Sequence, residues 1–149
     1  MLLNTSHFGN MEIDEKKIIR FEHGLPGFAE SKRYIIITDD NPESVYCWLQ
    51  SVDDSDIALV IIDSFHAMPN YDPLVEEEEL KELGEVDISD IAVFNVAVIA
   101  KDIYKSTINL KAPIIINEKT WLGKQIVVNN DEYEVRHNLF EALKSGGGV

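Results

Sequence analysis

Residues 106–128 read STINLKAPIIINEKTWLGKQIVV, and this stretch decides the fold class. In its first part the apolar residues Ile108 and Leu110 alternate with polar neighbours. Alternation with a period of two residues is typical of a β-strand that has one buried and one solvated face. Pro113 ends this pattern because proline has no backbone N–H to donate to a neighbouring strand. The pattern therefore predicts a first strand over residues 106–112.

Two further strands are predicted in the same stretch. The consecutive isoleucines of residues 114–116 suit a strand that is buried on both faces. The run QIVV at residues 125–128 predicts a third strand, after a loop that contains Gly123. Three uncharged amides stand in or beside these strands, namely Asn109, Asn117 and Gln125. Such side chains commonly satisfy nearby backbone groups, and the alternative is that they face a partner.

The composition predicts a folded protein with a restricted choice of partners. The chain has 149 residues, 45% of them hydrophobic, which is enough for one substantial core. Acidic residues outnumber basic residues 27 to 13, and the net charge of −14 opposes direct binding to nucleic acid or to an anionic membrane. The same charge favours a basic protein partner, and the alternative is that it serves solubility alone.

Cysteine usage and hydropathy predict a cytoplasmic location. Cys47 is the only cysteine, so no internal disulfide can form, and its place in a strand pattern predicts a small buried side chain. The N-terminus does not resemble a signal peptide. The longest apolar run, residues 91–100, is too short to span a bilayer.

Further strands are predicted from short apolar runs along the rest of the chain. They cover residues 11–22, 33–38, 45–51, 57–63, 91–100 and 132–137. The last of these is predicted to form a hairpin with residues 125–128 through a turn at residues 129–131. Residues 23–28, HGLPGF, are predicted to form a fixed turn, since glycine permits a positive φ and proline locks φ.

The clearest helix is predicted over residues 72–84. Asp72 is the expected N-cap, Pro73 suits the first turn and Gly84 suits the exit. A run of four glutamates near its N-terminal half complements the helix dipole. A second, short helix is predicted over residues 138–144.

These elements together define a fold class. About nine short strands with one or two short helices predict a mainly β fold, an antiparallel β-barrel-like single domain. A barrel also removes the exposed edges that β-branched strands would otherwise present. The domain is expected to span residues 1–144, and residues 145–149 are expected to form a flexible glycine-rich tail.

The sequence predicts no enzyme, no cofactor and no metal site. The four histidines share no metal-ligand spacing, and the lone cysteine does not complete a zinc set. Ser64 and His66 beside Asp63 make a poor catalytic triad, because adjacent strand residues point to opposite faces. The acidic cluster at residues 53–56 lacks the glycine and the distal glutamate of a calcium loop, so a solvated turn is predicted there.

Several motifs taken together resemble the FliW family of bacterial flagellar assembly factors. They are residues 19–28 (IRFEHGLPGF), residues 49–51 (LQS), Ile62-Asp63 leading to Pro69 and Tyr71, residues 109–117 (NLKAPIIIN), Gln125 and residues 133–137 (YEVRH). The resemblance extends over about residues 9–137, which is nearly the whole chain. Ser64 and Ala29 depart from the family pattern, which has a proline and a glutamate at those places.

The resemblance implies a cytosolic β-barrel-like protein without catalysis and with two protein partners. One partner is CsrA, an RNA-binding translational regulator, and members of the family stop CsrA from repressing flagellin translation. The other partner is flagellin, which takes the factor away from CsrA until flagellin is exported. The alternative is a small β-barrel that binds a small molecule or acts as an enzyme. If side chains such as Ile108, Leu110, Ile115 and Val127 fill the barrel, no ligand cavity remains.

Two groups of residues are candidates for partner binding. The first is a helix-borne acidic run expected to attract CsrA over a long range, namely Glu76, Glu77, Glu78 and Glu79. The second is a set of exposed apolar residues in the loop before that helix, expected to contact flagellin, namely Phe65, Met68 and Tyr71. The alternative is that Phe65 and Tyr71 are core residues and that the glutamates only solvate the surface.

Overall fold

The computed structural model describes residues 1–85 and 87–148. Within those residues the strands are β1 (Leu2–Thr5), β2 (Gly9–Glu12), β3 (Ile19–Arg20), β4 (Arg33–Thr38), β5 (Tyr46–Ser51), β6 (Ala58–Asp63), β7 (Ile91–Val98), β8 (Thr107–Ile108), β9 (Ile114–Asn117), β10 (Leu122–Gln125) and β11 (His137–Asn138). The α-helices are α1 (Ser64–Ala67), α2 (Glu77–Lys81) and α3 (Leu139–Ser145). Short 3₁₀ helices cover Glu15–Lys17, Ile88–Asp90 and Ile103–Lys105.

The long strands close into a barrel. β7, β6, β5, β4, β3, β10 and β9 pair in that order, and β9 pairs again with β7, so seven of the described strands form a closed ring. Neighbouring pairs are antiparallel except β3 and β10, which are parallel. β8 and β11 extend the sheet outside the ring from β7. The predicted mainly β, barrel-like fold is confirmed, and β4 to β7 lie where short apolar runs predicted strands.

Side chains from the ring strands, and from residues directly next to them in the chain, pack the barrel interior. The buried members of this cluster include Ile19, Phe21, Tyr34, Leu49, Ile61, Ile114 and Ile116. Gly123 of β10 also faces inward, because a Cβ at that position would lie 2.7 Å from the Phe21 ring. The middle of the barrel is therefore occupied by protein rather than open to a ligand.

None of the four residues considered as filling for the barrel lies in its interior. Ile108, Leu110 and Ile115 are buried, but they belong to a second cluster outside the ring, which α3 and the segment around Tyr71 cover. Val127 is 68% exposed, so it does not fill the barrel either. The alternating pattern placed the apolar side correctly but could not tell the inside of a barrel from its covered outside.

Three predicted strands have different bounds. The strand predicted over residues 11–22 is divided, because Asp14 accepts a hydrogen bond from the Lys16 N–H and caps a 3₁₀ helix between β2 and β3. β8 ends after two residues, since the Asn109 side chain turns the chain by accepting from the Ala112 N–H. β10 is Leu122–Gln125, and residues 126–128 run on without regular strand pairing.

The hairpin predicted between residues 125–128 and residues 132–137 is wrong. β11 pairs with β8 instead, with His137 opposite Ile108. Upstream of β11, the Glu134 carbonyl accepts hydrogen bonds from the Leu110 and Lys111 N–H groups. The polar turn at residues 129–131 therefore does not connect two neighbouring strands.

The helix predicted over residues 72–84 is much shorter, since α2 comprises only Glu77–Lys81. The backbone before it is extended because distant side chains take its hydrogen-bonding groups. The Asn130 Oδ1 accepts from the Leu74 N–H at 2.7 Å, and the Tyr133 hydroxyl accepts from the Asp72 N–H at 2.9 Å. Asp72 is therefore not a helix cap. The short helix predicted over residues 138–144 is confirmed as α3.

The two glycine-containing segments have defined contacts. In the turn at residues 23–28, Gly24 has φ +66°, and a Cβ there would lie 2.6 Å from the Ala29 carbonyl oxygen, so glycine is required. At the other end of the chain, the Gly146 carbonyl accepts from the Asn70 N–H at 2.6 Å. The flexibility of residues 145–149 stays a prediction that this contact weighs against, and Val149 lies outside the described residues.

Candidate protein-interaction surfaces

The three amides singled out from the sequence bond to the protein's own backbone. Asn109 accepts from the Ala112 N–H, and the Gln125 Nε2 donates to the Ala112 carbonyl, both at 2.9 Å. The Asn117 Nδ2 donates to the Leu83 carbonyl at 3.1 Å. The prediction that these side chains satisfy local backbone groups is confirmed, and their polar atoms are used within the fold.

The acidic run, Glu76 to Glu79, has two kinds of members. Glu79 forms an ion pair with Lys124 of β10, and Glu76 accepts a hydrogen bond from the Asn129 side chain at 2.8 Å. Glu77 and Glu78 are exposed, and neither carboxylate makes a hydrogen bond or ion pair with another described residue. The run is thus fixed to the barrel at its ends, and its two middle carboxylates are directed to solvent.

Lys124 is the cation that positions α2 against the barrel. It binds Glu79 in the helix and Glu82 just after it. Partial burial alone would lower the pKa of Lys124, but its hydrogen bonds to Glu79 and Glu82 outweigh that effect and raise the pKa. The same hydrogen bond from Lys124 has the opposite effect on its acidic partner and lowers the pKa of Glu82. Lys124 and Glu82 therefore stay charged at neutral pH.

The apolar residues predicted to contact a partner are not a shared surface. Phe65 lies on α1 and is 49% exposed, whereas Met68 and Tyr71 are buried, so their expected exposure is wrong. The Tyr71 hydroxyl donates to the Leu110 carbonyl at 2.7 Å and accepts from the Asn95 Nδ2 at 3.2 Å, which holds the ring in the core. Of these three residues, Phe65 alone is accessible to another protein.

A larger exposed apolar surface lies where β7 turns into β8, next to α3. We call it the apolar surface, and its members are Val98, Ile99, Ile103, Tyr104 and Phe140. Tyr104 is 73% exposed. Large apolar side chains that cluster at the surface commonly mark a site of protein contact.

Strand register and capping bring these residues together. Val98 lies opposite Thr107, which in turn lies opposite Asn138, so the three residues form one row across β7, β8 and β11. The Asn138 Nδ2 donates to the Tyr104 carbonyl at 3.0 Å and ties the 3₁₀ helix to the start of α3. The rings of Tyr104 and Phe140 then lie 5.5 Å apart, tilted by 46°.

The charges beside the apolar surface differ from those of the whole chain. Three exposed cations and two exposed anions adjoin it in sequence, namely Lys101, Lys105, Lys144, Asp102 and Glu141. The chain as a whole carries a net charge of −14. The charged residues next to the apolar surface in sequence are therefore nearly balanced, on an otherwise acidic protein.

Sequence reasoning missed this surface because it predicted one apolar strand over residues 91–100 and no turn after it. One signal could have revealed it. Asp102 is an N-cap that accepts from the Tyr104 N–H at 3.2 Å, and such a cap starts a short turn immediately after an apolar strand. A turn of this kind places Ile103 and Tyr104 outside the sheet.

The polar groups considered for chemistry are engaged elsewhere. Ser64 donates to the Asn95 Oδ1 at 2.5 Å rather than to His66. Burial, with a smaller effect of the nearby Asp63, raises the pKa of the Cys47 thiol to about 12, so it stays protonated. Within the described residues no cluster of three or more His, Cys, Asp or Glu side chains could hold a metal. The same residues include no helix that is long and apolar enough to cross a membrane.

The structure places this protein in the class of small β-barrels with a packed interior. Its candidate binding features, the acidic run and the apolar surface, lie on the outside of the barrel. Comparison with known proteins then gives the family. The sequence model described as "FliW protein" matches residues 2–139. The chain belongs to the FliW family, and it has a role in flagellar assembly.

Relatives and a solved structure agree over nearly the full chain. The flagellar assembly factor FliW of Thermoanaerobacter pseudethanolicus is 42% identical over 145 residues, covering 97% of both chains. That of Lachnoclostridium phytofermentans is 40% identical over 147 residues, covering 97% of this chain and 94% of the other. A crystal structure of the flagellar assembly factor FliW superposes with a TM-score of 0.82 at 34% identity, covering 93% of this chain and 96% of the other.

Proposed function

We propose that this protein is a cytoplasmic regulatory binding protein that binds either CsrA or flagellin. Bound to CsrA, it relieves the repression of flagellin translation; bound to flagellin, it leaves CsrA free to repress. The observation that carries the proposal is the apolar surface around Tyr104, on a barrel whose interior is packed. A protein of this kind acts through its outside, and protein partners are the ligands that such surfaces take.

We assign the apolar surface to flagellin. Flagellin segments that fold on assembly offer an apolar helical face before they are exported. Such a face gains stability by covering Ile103, Tyr104 and Phe140, because each of these side chains exposes area that water solvates poorly. Aromatic residues with few rotatable bonds are also common energetic centres of interfaces. Phe65, which lies on α1, is a second candidate contact for flagellin.

We assign the acidic run to CsrA. CsrA binds RNA, so the surface it presents to phosphates is basic, and an acidic protein attracts it. The carboxylates of Glu77 and Glu78 face solvent without an internal partner among the described residues, which suits them to long-range attraction. Glu76 and Glu79 contribute less, since both bond within the fold.

The alternative function, binding of a small molecule or catalysis, has weaker support. A ligand site in a small barrel needs an open interior, and here Phe21, Tyr34 and Leu49 occupy it. The cysteine thiol is buried in a β-strand. We therefore propose that the protein works without catalysis and without a cofactor.

The apolar surface offers a matched pair of variants for the test. Ile103 and Ile88 each start an aspartate-capped 3₁₀ helix, and both side chains are exposed. Ile103→Ser combined with Tyr104→Ser should weaken flagellin binding at least about tenfold, as truncation of interface centres does. Binding to CsrA should not change. Ile88→Ser should leave both affinities unchanged.

The measurement is titration calorimetry of the purified variants with flagellin and with CsrA. A flagellin affinity equal to that of the unaltered protein would remove the apolar surface from the proposal. If the unaltered protein binds neither CsrA nor flagellin, the proposed function itself is overturned.

A further inference from the structure

One end of the barrel is not packed. A cavity of about 380 Å³ opens there, beneath the loop of residues 39–45 that joins β4 to β5. We call it the mouth pocket. Two pairs of residues opposite each other in register lie around it, Thr38 with Cys47 and Asp63 with Phe94.

Strand alternation shows which way these side chains point. Ile61 belongs to the packed barrel interior, and Asp63 lies two residues further along β6, so the two side chains share a face. Cys47 and Phe94 are themselves buried members of the interior cluster and form the floor. Asp63 is therefore an exposed carboxylate at the rim of the barrel, on the inward-facing side of β6 and above an apolar floor.

The mouth pocket is acidic, and one of its acids has no hydrogen-bond or ion-pair partner among the described residues. Asp39 and Asp63 both line it, and among the described lining residues none is Lys, Arg or His. Asp63 precedes α1 but does not cap it, and its carboxylate makes no hydrogen bond or ion pair with another described residue. Asp39 accepts from the Asn41 N–H at 3.2 Å, and this hydrogen bond, followed by one from Tyr46, lowers its pKa.

The walls favour a long, flat cation over a small one. Ile36 and Val45 are apolar, while Phe94 and Tyr46 present aromatic rings. An arginine side chain has an apolar stem that such walls accept and a planar guanidinium that lies on aromatic rings. Its fork of N–H donors can also bind carboxylates on two sides at once. A compact metal ion would leave the apolar walls unused.

We propose that the mouth pocket receives an arginine side chain presented by a protein partner, with Asp63 and Asp39 binding the guanidinium. The charge of the pocket and its apolar walls together select this occupant. The inference rests on the proposed function only in taking a protein as the source of the arginine. In addition to the long-range attraction by the acidic run, the pocket gives a basic partner one specific short-range contact.

The first experiment uses a short capped peptide, Ac-Gly-Arg-Gly-NH₂, and the same peptide with citrulline in place of arginine. Citrulline has nearly the same shape but no charge. In ¹H–¹⁵N correlation spectra, the arginine peptide should shift amides around residues 36–47, Asp63 and Phe94, with a dissociation constant of about 1 mM or above, as expected for one side chain. The citrulline peptide should bind at least about tenfold more weakly.

Matched variants test the role of the carboxylate. Asp63→Asn should weaken the arginine peptide about fivefold or more, whereas Asp40→Asn removes the same charge from the same region outside the pocket and should leave binding unchanged. Thr38→Arg places a guanidinium at the rim of the pocket and should abolish peptide binding. Unchanged spectra for the rest of the barrel confirm that each variant is folded.

Several results would overturn the proposal. Equal binding of the citrulline peptide, undiminished binding to Asp63→Asn, or shifts located elsewhere would each show that the pocket does not recognise arginine. If the peptide binds as expected but Asp63→Asn and the unaltered protein have equal affinity for CsrA and for flagellin, no arginine of either partner enters the pocket. That last result overturns docking by a partner and leaves the proposed function standing, since both affinities are measured directly.

Discussion

The hydroxyl of Tyr133 hydrogen-bonds to two backbone segments that are far apart in the sequence. It accepts a hydrogen bond from the Asp72 N–H at 2.9 Å and donates one to the Gly147 carbonyl at 3.3 Å. One buried oxygen thus connects the segment before α2 with the residues after α3. Because α2 carries the acidic run, the position of those carboxylates depends on Tyr133.

Tyr133→Phe removes this connection while keeping the ring. We expect the free energy of unfolding to fall by about 1–2 kcal/mol, because the Asp72 N–H and the Gly147 carbonyl both lose a partner. Urea denaturation followed by tryptophan fluorescence measures the change. Tyr104→Phe is the control, and its exposed side chain should leave stability within about 0.5 kcal/mol of the unaltered protein. Equal stability of the two variants would contradict the role of Tyr133.

Gly123→Ala tests the packing of the barrel interior. The added Cβ would lie 2.7 Å from the Phe21 ring, and Phe21 is fully buried and cannot move aside freely. We expect a loss of about 1–3 kcal/mol in the free energy of unfolding, as overpacking of a core costs. Gly148→Ala is the control, since its Cβ would meet only ordinary contacts. A Gly123→Ala protein as stable as the control would show that the interior has unfilled space.

Removal of residues 146–149 tests the glycine-rich segment after α3. The sequence alone predicts that these residues are dispensable, but the Gly146 carbonyl accepts from the Asn70 N–H, and the Gly147 N–H donates to the Ala142 carbonyl. We therefore expect the truncated protein to lose about 1–3 kcal/mol of stability. A chain that ends at Gly147 keeps these contacts and should behave as the full chain in thermal denaturation. Unchanged stability of the shorter chain would restore the prediction of a flexible tail.

Replacement of Glu77 and Glu78 by glutamine tests the acidic run. Both carboxylates face solvent, so the double variant should fold normally and bind CsrA more slowly at low salt, with a weaker dependence of the association rate on salt. Stopped-flow fluorescence at two salt concentrations gives both quantities. Glu15→Gln combined with Glu30→Gln removes the same charge from other exposed positions. If the association rate with CsrA falls equally in both double variants, net charge and not the acidic run attracts the partner.

Local patterns predicted the barrel strands well but could not predict long-range pairing. β4 was predicted at its observed bounds because its side chains alternate between two apolar layers, the barrel interior and the cluster beneath the β1–β2 hairpin. The helix expected over residues 72–84 was cut short by Asn130 and Tyr133, which are more than fifty residues away and compete for its backbone groups. Propensity in a single segment carries no information about such a competitor.

For the candidate surfaces, too, features set by a residue's own chemistry were predictable, and features set by distant residues were not. Exposure of Glu77 and Glu78 follows from their charge and was predictable. Burial of Tyr71 was not, because it depends on the Leu110 carbonyl and the Asn95 side chain reaching its hydroxyl from other strands. The apolar surface depends on the contact between Tyr104 and Phe140, which only the pairing of β8 with β11 brings together.

The single parallel pair in the ring, β3 with β10, has a consequence for how this protein is made. Arg20 lies opposite Leu122, so the contact joins positions about 100 residues apart in the chain. A ribosome must therefore release most of the polypeptide before the ring can be completed. We expect unfinished chains to remain open-ended, with β3 lacking its second neighbour. Competence to engage any partner that recognises the finished barrel then appears late in synthesis and all at once.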